Sequence, residues 1–163
     1  MEVVGSVGVV GAGSWGTTIS QHLAGKGYRV DLWVYEEDLC RTMRETRENN
    51  VYLPGFRLHD NLVPHAQLER VVRGHELIVM VVPSHVYRQT AVQMLPHLEQ
   101  GTVIVSATKG IENGTLLMMS DIWEELQPSS SFVRVLSLSG PSFAKEVICQ
   151  TPTAIVVAGE DLE

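Results

Sequence analysis

The segment Gly11-Ala12-Gly13-Ser14-Trp15-Gly16 constrains this chain more than any other, because of what flanks it. It follows the apolar run Ser6-Val7-Gly8-Val9-Val10 and leads into Thr17 to Lys26, a stretch of helical character. A strand that turns through glycines directly into a helix is the context that a dinucleotide-binding turn requires. Gly11 permits a tight turn off the strand, Gly13 removes the side chain that would block a pyrophosphate, and Gly16 lets helix and strand pack closely. The phosphates would sit at the helix N-terminus, where unpaired N–H groups and the positive end of the helix dipole stabilise an anion without a basic residue. The alternative is a glycine-rich turn with a structural role only.

The rest of the chain repeats the same grammar. Short Val/Ile/Leu-rich runs alternate with longer helical segments, the pattern of a parallel sheet covered on both faces. The expected architecture is therefore α/β, Rossmann-like and doubly wound, with a mainly parallel sheet forming one domain over residues 1–163. Six strands are expected, at Ser6–Val10, Arg29–Val34, Leu77–Val82, Val103–Ala107, Val133–Leu138 and Thr153–Ala158. Helices are expected over Ser14–Lys26, Glu37–Arg47, Val86–Leu98 and Thr115–Leu126, with a short one at Ala66–Arg73. Thr115-Leu116-Leu117-Met118 with Ile122, Trp123 and Leu126 has helical spacing and reads as a core-facing stripe, as do Met94 and Leu95. Asn49 to Gly55 and Gln127 to Ser131 read as loops, the second exposed.

Composition removes several classes of function. Twelve basic against 19 acidic residues give a net charge of −7, which excludes a basic nucleic-acid-binding surface. The apolar runs, such as Leu77 to Pro83, fall far short of the roughly 20 residues that cross a bilayer. The amino terminus enters a strand without a basic and apolar leader, so the expected location is cytoplasmic. Cys40 and Cys149 are too few and too far apart for a disulfide framework or a zinc site, and no metal is expected.

Ligands of an open α/β sheet bind beyond the carboxyl ends of its strands. The second strand ends at Tyr35-Glu36, and Glu36 lies 20 residues beyond Gly16. An acidic side chain there accepts hydrogen bonds from a free ribose 2′-hydroxyl and repels a 2′-phosphate, which favours NAD over NADP. Two alternatives stand beside this. Glu36, Glu37 and Asp38 also suit the acidic first turn of the next helix, and Arg41, one turn on, is within reach of a 2′-phosphate. Two further strand ends are Val82-Pro83-Ser84-His85 and Ser106 to Glu112. Lys109, one of three lysines in the chain, follows an apolar strand and suits an anionic substrate group, the alternative being a solvated loop lysine. His85 has the ionisation range of a general acid but no sequence partner, and reads as a helix-start residue. Leu138 to Glu146 has the same form, a strand end followed by small residues, with Ser142 expected to cap a helix and backbone N–H groups open to a second phosphate.

Five blocks in order resemble the amino-terminal part of the NAD(P)-dependent glycerol-3-phosphate dehydrogenases of bacterial type. They are Gly11 to Thr17, Asn50-Val51-Tyr52-Leu53-Pro54, Val82 to His85, Ala107 to Glu112, and Leu138 to Glu146. The resemblance implies interconversion of dihydroxyacetone phosphate with sn-glycerol 3-phosphate for phospholipid synthesis, with NAD or NADP as cofactor and a small phosphorylated substrate. It places cofactor contacts on Ser14, Trp15, Tyr35, Lys109 and Ala144, besides Gly11, Gly13, Gly16 and Glu36 from the residues themselves. It places substrate contacts on Lys109, Gly140 and Ser142. Val34-Tyr35-Glu36 departs from the Gly followed by Arg or His that many family members carry, which argues against a strong NADP preference. The resemblance also implies a helical carboxy-terminal domain that carries the catalytic lysine beyond Glu163 and a homodimer of the full-length enzyme, so the expectation is a cofactor-binding domain with little or no turnover. The other readings are a β-hydroxyacid-type dehydrogenase of the same two-domain design and a module that binds a nucleotide without chemistry.

Overall fold

A computed structural model describes residues 5–127 and 132–159. The first strand, β1 (Ser6–Val10), is buried almost throughout, and its alternating residues serve two cores. Val7 and Val9 join Val30, Leu32, Leu39, Met43, Leu58 and Leu62 on one face of the sheet. Val10 joins Met80, Tyr87, Met94, Ile122 and Trp123 on the other. A strand whose successive residues are buried toward both faces is the mark of a sheet layered on both sides.

The elements follow as α1 (Ser14–Gly25), β2 (Arg29–Trp33), α2 (Glu37–Thr46), β3 (Glu48–Asn49), β4 (Leu53–Arg57), β5 (Leu62–His65), α3 (Leu68–Val72), β6 (Leu77–Met80), α4 (Ser84–Met94), β7 (Thr102–Ser106), α5 (Met119–Leu126), β8 (Val133–Ser139), α6 (Ala144–Ile148) and β9 (Val156–Ala158). The seven-stranded sheet runs β5-β2-β1-β6-β7-β8-β9, parallel except for the β8–β9 pair. From β1 the chain winds outward through β2 to β5, then crosses back to β6 on the other side of β1. The order therefore reverses between β1 and β6, which is where such sheets open a crevice.

The expected α/β sheet is present, and its differences from expectation have local causes. Asn49 to Gly55, expected as a loop, contributes to an antiparallel hairpin of β3 with β4. Residues 62–65, left without an element, form the edge strand β5, where Pro64 is tolerated because no further strand needs its missing N–H. The expected Thr115–Leu126 helix starts only at Met119. Leu116 adopts a left-handed φ of 62°, Glu112 and Leu117 close a backbone hydrogen bond, and Asp121 accepts from the Met118 N–H at the new start. Thr115, Leu116 and Met118 are consequently exposed rather than core, whereas Ile122 and Trp123 are fully buried. The helix expected over Val86–Leu98 starts at Ser84 and passes into a 3-10 turn at Leu95–His97, which contains Pro96. The last strand shortens to Val156–Ala158 and runs antiparallel. Of the connection expected over Gln127 to Ser131, residues 128–131 lie outside those described.

Candidate functional site

A cleft of about 720 Å³ opens at the carboxyl ends of β1, β2, β6 and β7, and fits the range of small-molecule sites. Its floor is the glycine turn. Gly11 has φ of 118°, and a Cβ there would lie 2.7 Å from the Val81 carbonyl oxygen. A Cβ on Gly16 would run into the Gly11 carbonyl oxygen, so the helix start and the strand end need both glycines to touch. Gly13 differs, since a Cβ there would meet nothing within 4 Å. The space in front of Gly13 belongs to the cleft, as expected of a position kept bare for a ligand. α1 begins beside it with no side-chain cap and no acidic residue in its first turn, so its leading N–H groups face the cleft uncompensated.

The hairpin secures one wall. Asn49, fully buried, donates its amide to the Ala12 carbonyl and to Thr17 Oγ1, each at 2.9 Å, and its own oxygen accepts from the Tyr52 N–H at 3.0 Å. Tyr52 is thereby carried over the end of β2, where its hydroxyl donates to Glu36 Oε1 at 2.8 Å. Neighbouring Glu36 raises the phenol pKa above its usual value, chiefly through that hydrogen bond. Tyr35 is exposed beside it and meets Trp33 edge to face, with ring centroids 5.8 Å apart. Arg41 is paired with Asp38 at 2.7 Å and is not part of the cleft lining.

The opposite wall comes from β7 and α6. Lys109 is exposed, makes no ion pair among the described residues, and holds its ammonium 5.9 Å from the centroid of the Phe143 ring. Its loop is braced by Arg88 of α4, which donates to both oxygens of Glu112 at 2.7 and 2.8 Å and reaches Glu125 of α5 at 2.8 Å. Hydrogen bonds from Arg88 foremost, and from Thr115, bring the Glu112 carboxyl pKa down to about 2. Ser142 is buried and lines the cleft, but it does not cap α6. The cap position is Phe143, without a side-chain hydrogen bond, while the Ser142 N–H donates to the Gly140 carbonyl at 2.9 Å. That N–H is therefore already engaged.

Gly11, Gly13, Ser14, Trp15, Gly16, Tyr35, Glu36, Lys109, Ser142 and Ala144 all line this one cleft, although they come from four separate stretches of sequence. Gly140 does not line it. Its φ of 144° and close approach to the Ala154 carbonyl instead shape the β8–α6 turn. His85 stands exposed at the start of α4 on the cleft wall. Sequence reasoning assigned no role to Tyr52, Gln89, Gln93 or Phe143, which also line the cleft. Gln89 and Gln93 stand four apart on α4, so their polar face was readable, but not what it faces.

Topology and cleft together define a dinucleotide-binding domain of the doubly wound class. The chain belongs to the family described as NAD-dependent glycerol-3-phosphate dehydrogenase N-terminus, whose model matches residues 6–163. It is 57% identical over 163 residues to an NAD(P)+ glycerol-3-phosphate dehydrogenase of Syntrophobacter fumaroxidans, covering all of this chain and 48% of that one. It is 47% identical to that of Syntrophotalea carbinolica over 96% of this chain and 47% of the relative. Among solved structures, glycerol-3-phosphate dehydrogenase of Coxiella burnetii superimposes with a TM-score of 0.88 at 34% identity, over 96% of this chain and 47% of the other. The chain thus spans about half the length of the relatives it matches. A 3-hydroxyisobutyrate dehydrogenase of Mycobacterium tuberculosis, 13% identical with a TM-score of 0.71, shares the fold alone.

Proposed function

We propose that this chain is the cofactor-binding part of an enzyme that interconverts dihydroxyacetone phosphate and sn-glycerol 3-phosphate with a nicotinamide dinucleotide, serving phospholipid synthesis. The observation that carries the reading is the convergence of the glycine turn, Lys109 and Ser142 on one cleft. The α1 N-terminus and the bare face of Gly13 receive the pyrophosphate. Tyr35 and Glu36 take the adenosine end, and Trp15 and Ala144 flank the bound chain. When bound, the dinucleotide supplies the hydride that reduces the substrate ketone or accepts it in reverse. Lys109 pairs electrostatically with the anionic groups meeting at its end of the cleft, acting as a compact point charge. Ser142 and the turn at Gly140 border the substrate side.

Reduction also needs a proton at the developing alkoxide, delivered by a group positioned there. Lys109 is the one lysine lining the cleft. Lys26 sits at the far end of α1 and Lys145 lies on α6 outside the lining. By the family resemblance, the proton donor is assigned to a lysine in the part of the relatives that this chain does not match. By the family resemblance the proposal extends to a cytoplasmic enzyme that works as a homodimer; separately, no helix among the described residues is long and apolar enough to cross a membrane.

Titration calorimetry with NADH tests cofactor binding by the 163-residue chain, and heat of binding at one site per chain is the expected result. The same polypeptide is expected to show no dihydroxyacetone-phosphate-dependent NADH oxidation above a no-protein control. In the full-length enzyme, dihydroxyacetone should fail as a substrate. Equal activity on the phosphorylated and unphosphorylated ketones would defeat the phosphate reading in favour of another dehydrogenase of this design.

A further inference from the structure

We infer that Tyr52 is a positioning residue for cofactor selection, its hydroxyl holding Glu36 where the carboxylate accepts a ribose 2′-hydroxyl and turns away a 2′-phosphate. The inference rests on the cofactor reading above and adds to it the device that sets the choice between NAD and NADP.

Three observations carry it. First, Glu36 is exposed at the cap position of α2 yet makes no capping hydrogen bond to its own helix. Its one side-chain hydrogen-bond partner among the described residues is Tyr52. An exposed glutamate otherwise samples many rotamers, so a partner 2.8 Å away is what gives its carboxylate a direction. Second, Tyr52 does not reach that place by chance of a mobile loop. Its backbone is tied to Asn49, and Asn49 to the Ala12 carbonyl, so the hydroxyl has a fixed relation to the turn that receives the pyrophosphate. Third, no ion pair offsets Glu36 among the described residues. Arg41, the nearest basic residue in sequence, is held by Asp38 and lies outside the cleft lining.

Donation from Tyr52 occupies one carboxylate oxygen and leaves the other free to accept from a hydroxyl. The carboxylate repels a second anion at short range. The sequence contains both residues, but 16 positions apart and on different elements, so the pairing belongs to the hairpin.

The test is a set of calorimetric titrations with NADH and NADPH on the wild-type chain, Tyr52→Phe, Glu36→Gln and the double variant. Wild type is expected to bind NADH at least about tenfold more tightly than NADPH. Tyr52→Phe should shrink that ratio about threefold to tenfold, the range expected for loss of one ordinary, solvent-exposed hydrogen bond. In the Glu36→Gln background the same substitution should change the ratio little, because Tyr52 acts through Glu36. A wild-type preference for NADPH, an unchanged ratio in Tyr52→Phe, or an equal shift in both backgrounds would overturn the inference while leaving cofactor binding intact. Failure of wild type to bind either dinucleotide would overturn the cofactor reading itself, and this inference with it.

Discussion

The three glycines of the turn look alike in sequence and are unlike in space. Gly11 and Gly16 are bare because protein atoms press on them, and Gly13 is bare toward the cleft. This separates two effects that substitution usually mixes. Gly13→Ala, at an ordinary φ of −64°, should leave thermal stability within about 0.5 kcal/mol of wild type while weakening NADH binding roughly tenfold or more. Paired thermal melts and calorimetry measure both. Gly16→Ala should instead lower the melting temperature before any binding is tested, because its methyl has no room against the Gly11 carbonyl. Stability of Gly16→Ala equal to wild type would mean that α1 shifts freely on β1. A buried pair makes a comparable point on the other face of the sheet. Trp123 Nε1 donates to the Tyr87 hydroxyl at 3.0 Å, with both side chains fully buried. Tyr87→Phe should cost about 1–3 kcal/mol in denaturant unfolding, since the indole N–H loses its acceptor.

At the scale of elements, strands supply the positions and connections supply the chemistry. Tyr52 comes from the β3–β4 hairpin, Lys109 from the segment after β7, and Ser142 from the turn before α6. Two of these connections have side-chain anchors, Asn49 for the hairpin and Arg88 for the Lys109 segment. Arg88 ties α4 to Glu112 and Glu125, so Arg88→Met should release that segment without disturbing the sheet. Hydrogen exchange is expected to quicken at the amides of Glu112 and Leu116, while β7 amides stay protected. Unchanged exchange there would show that the turn around Leu116 holds the segment by itself.

The whole molecule is two cores on one sheet, and its stability should respond to ligand and to pH in ways the layering dictates. NADH at about one hundred times its dissociation constant should add about 2.7 kcal/mol, raising the melting temperature by roughly 5–10 °C for a domain of this size. The pH response centres on Asp31, buried in β2. His65 Nε2 lies 2.7 Å from one of its oxygens, and His75 Nε2 lies 3.2 Å from the other without an aligned hydrogen bond. Burial alone would raise the carboxyl pKa, but His65, His75 and the charge of Arg29 outweigh it and hold Asp31 well below the usual 3.8. A lowered folded-state pKa gives stability that is complete above the ordinary carboxylate range and is lost as pH falls below about 4. Asp31→Ala should cost about 2–4 kcal/mol near neutral pH and flatten the acid limb of the stability curve, as read by denaturant midpoints across pH. An acid limb identical to that of wild type would remove Asp31 from this role.

What the sequence by itself determined is the part governed by neighbours along the chain. Apolar runs with strand spacing, the glycine turn between strand and helix, and the end of β2 at Tyr35-Glu36 were all legible, because each depends on contacts within a few residues. The same holds for the family, which ordered local motifs identify. Tertiary structure alone decided how those motifs meet. It turned 48–57 into a hairpin bolted to the glycine turn, unwound the start of the Thr115 helix around a left-handed Leu116, moved the α6 cap from Ser142 to Phe143, and sent β9 antiparallel. The physical reason is that a hydrogen bond such as Tyr52 to Glu36 or Arg88 to Glu112 leaves no periodicity in the sequence. It exists only once the strand order brings distant connections to the same edge of the sheet.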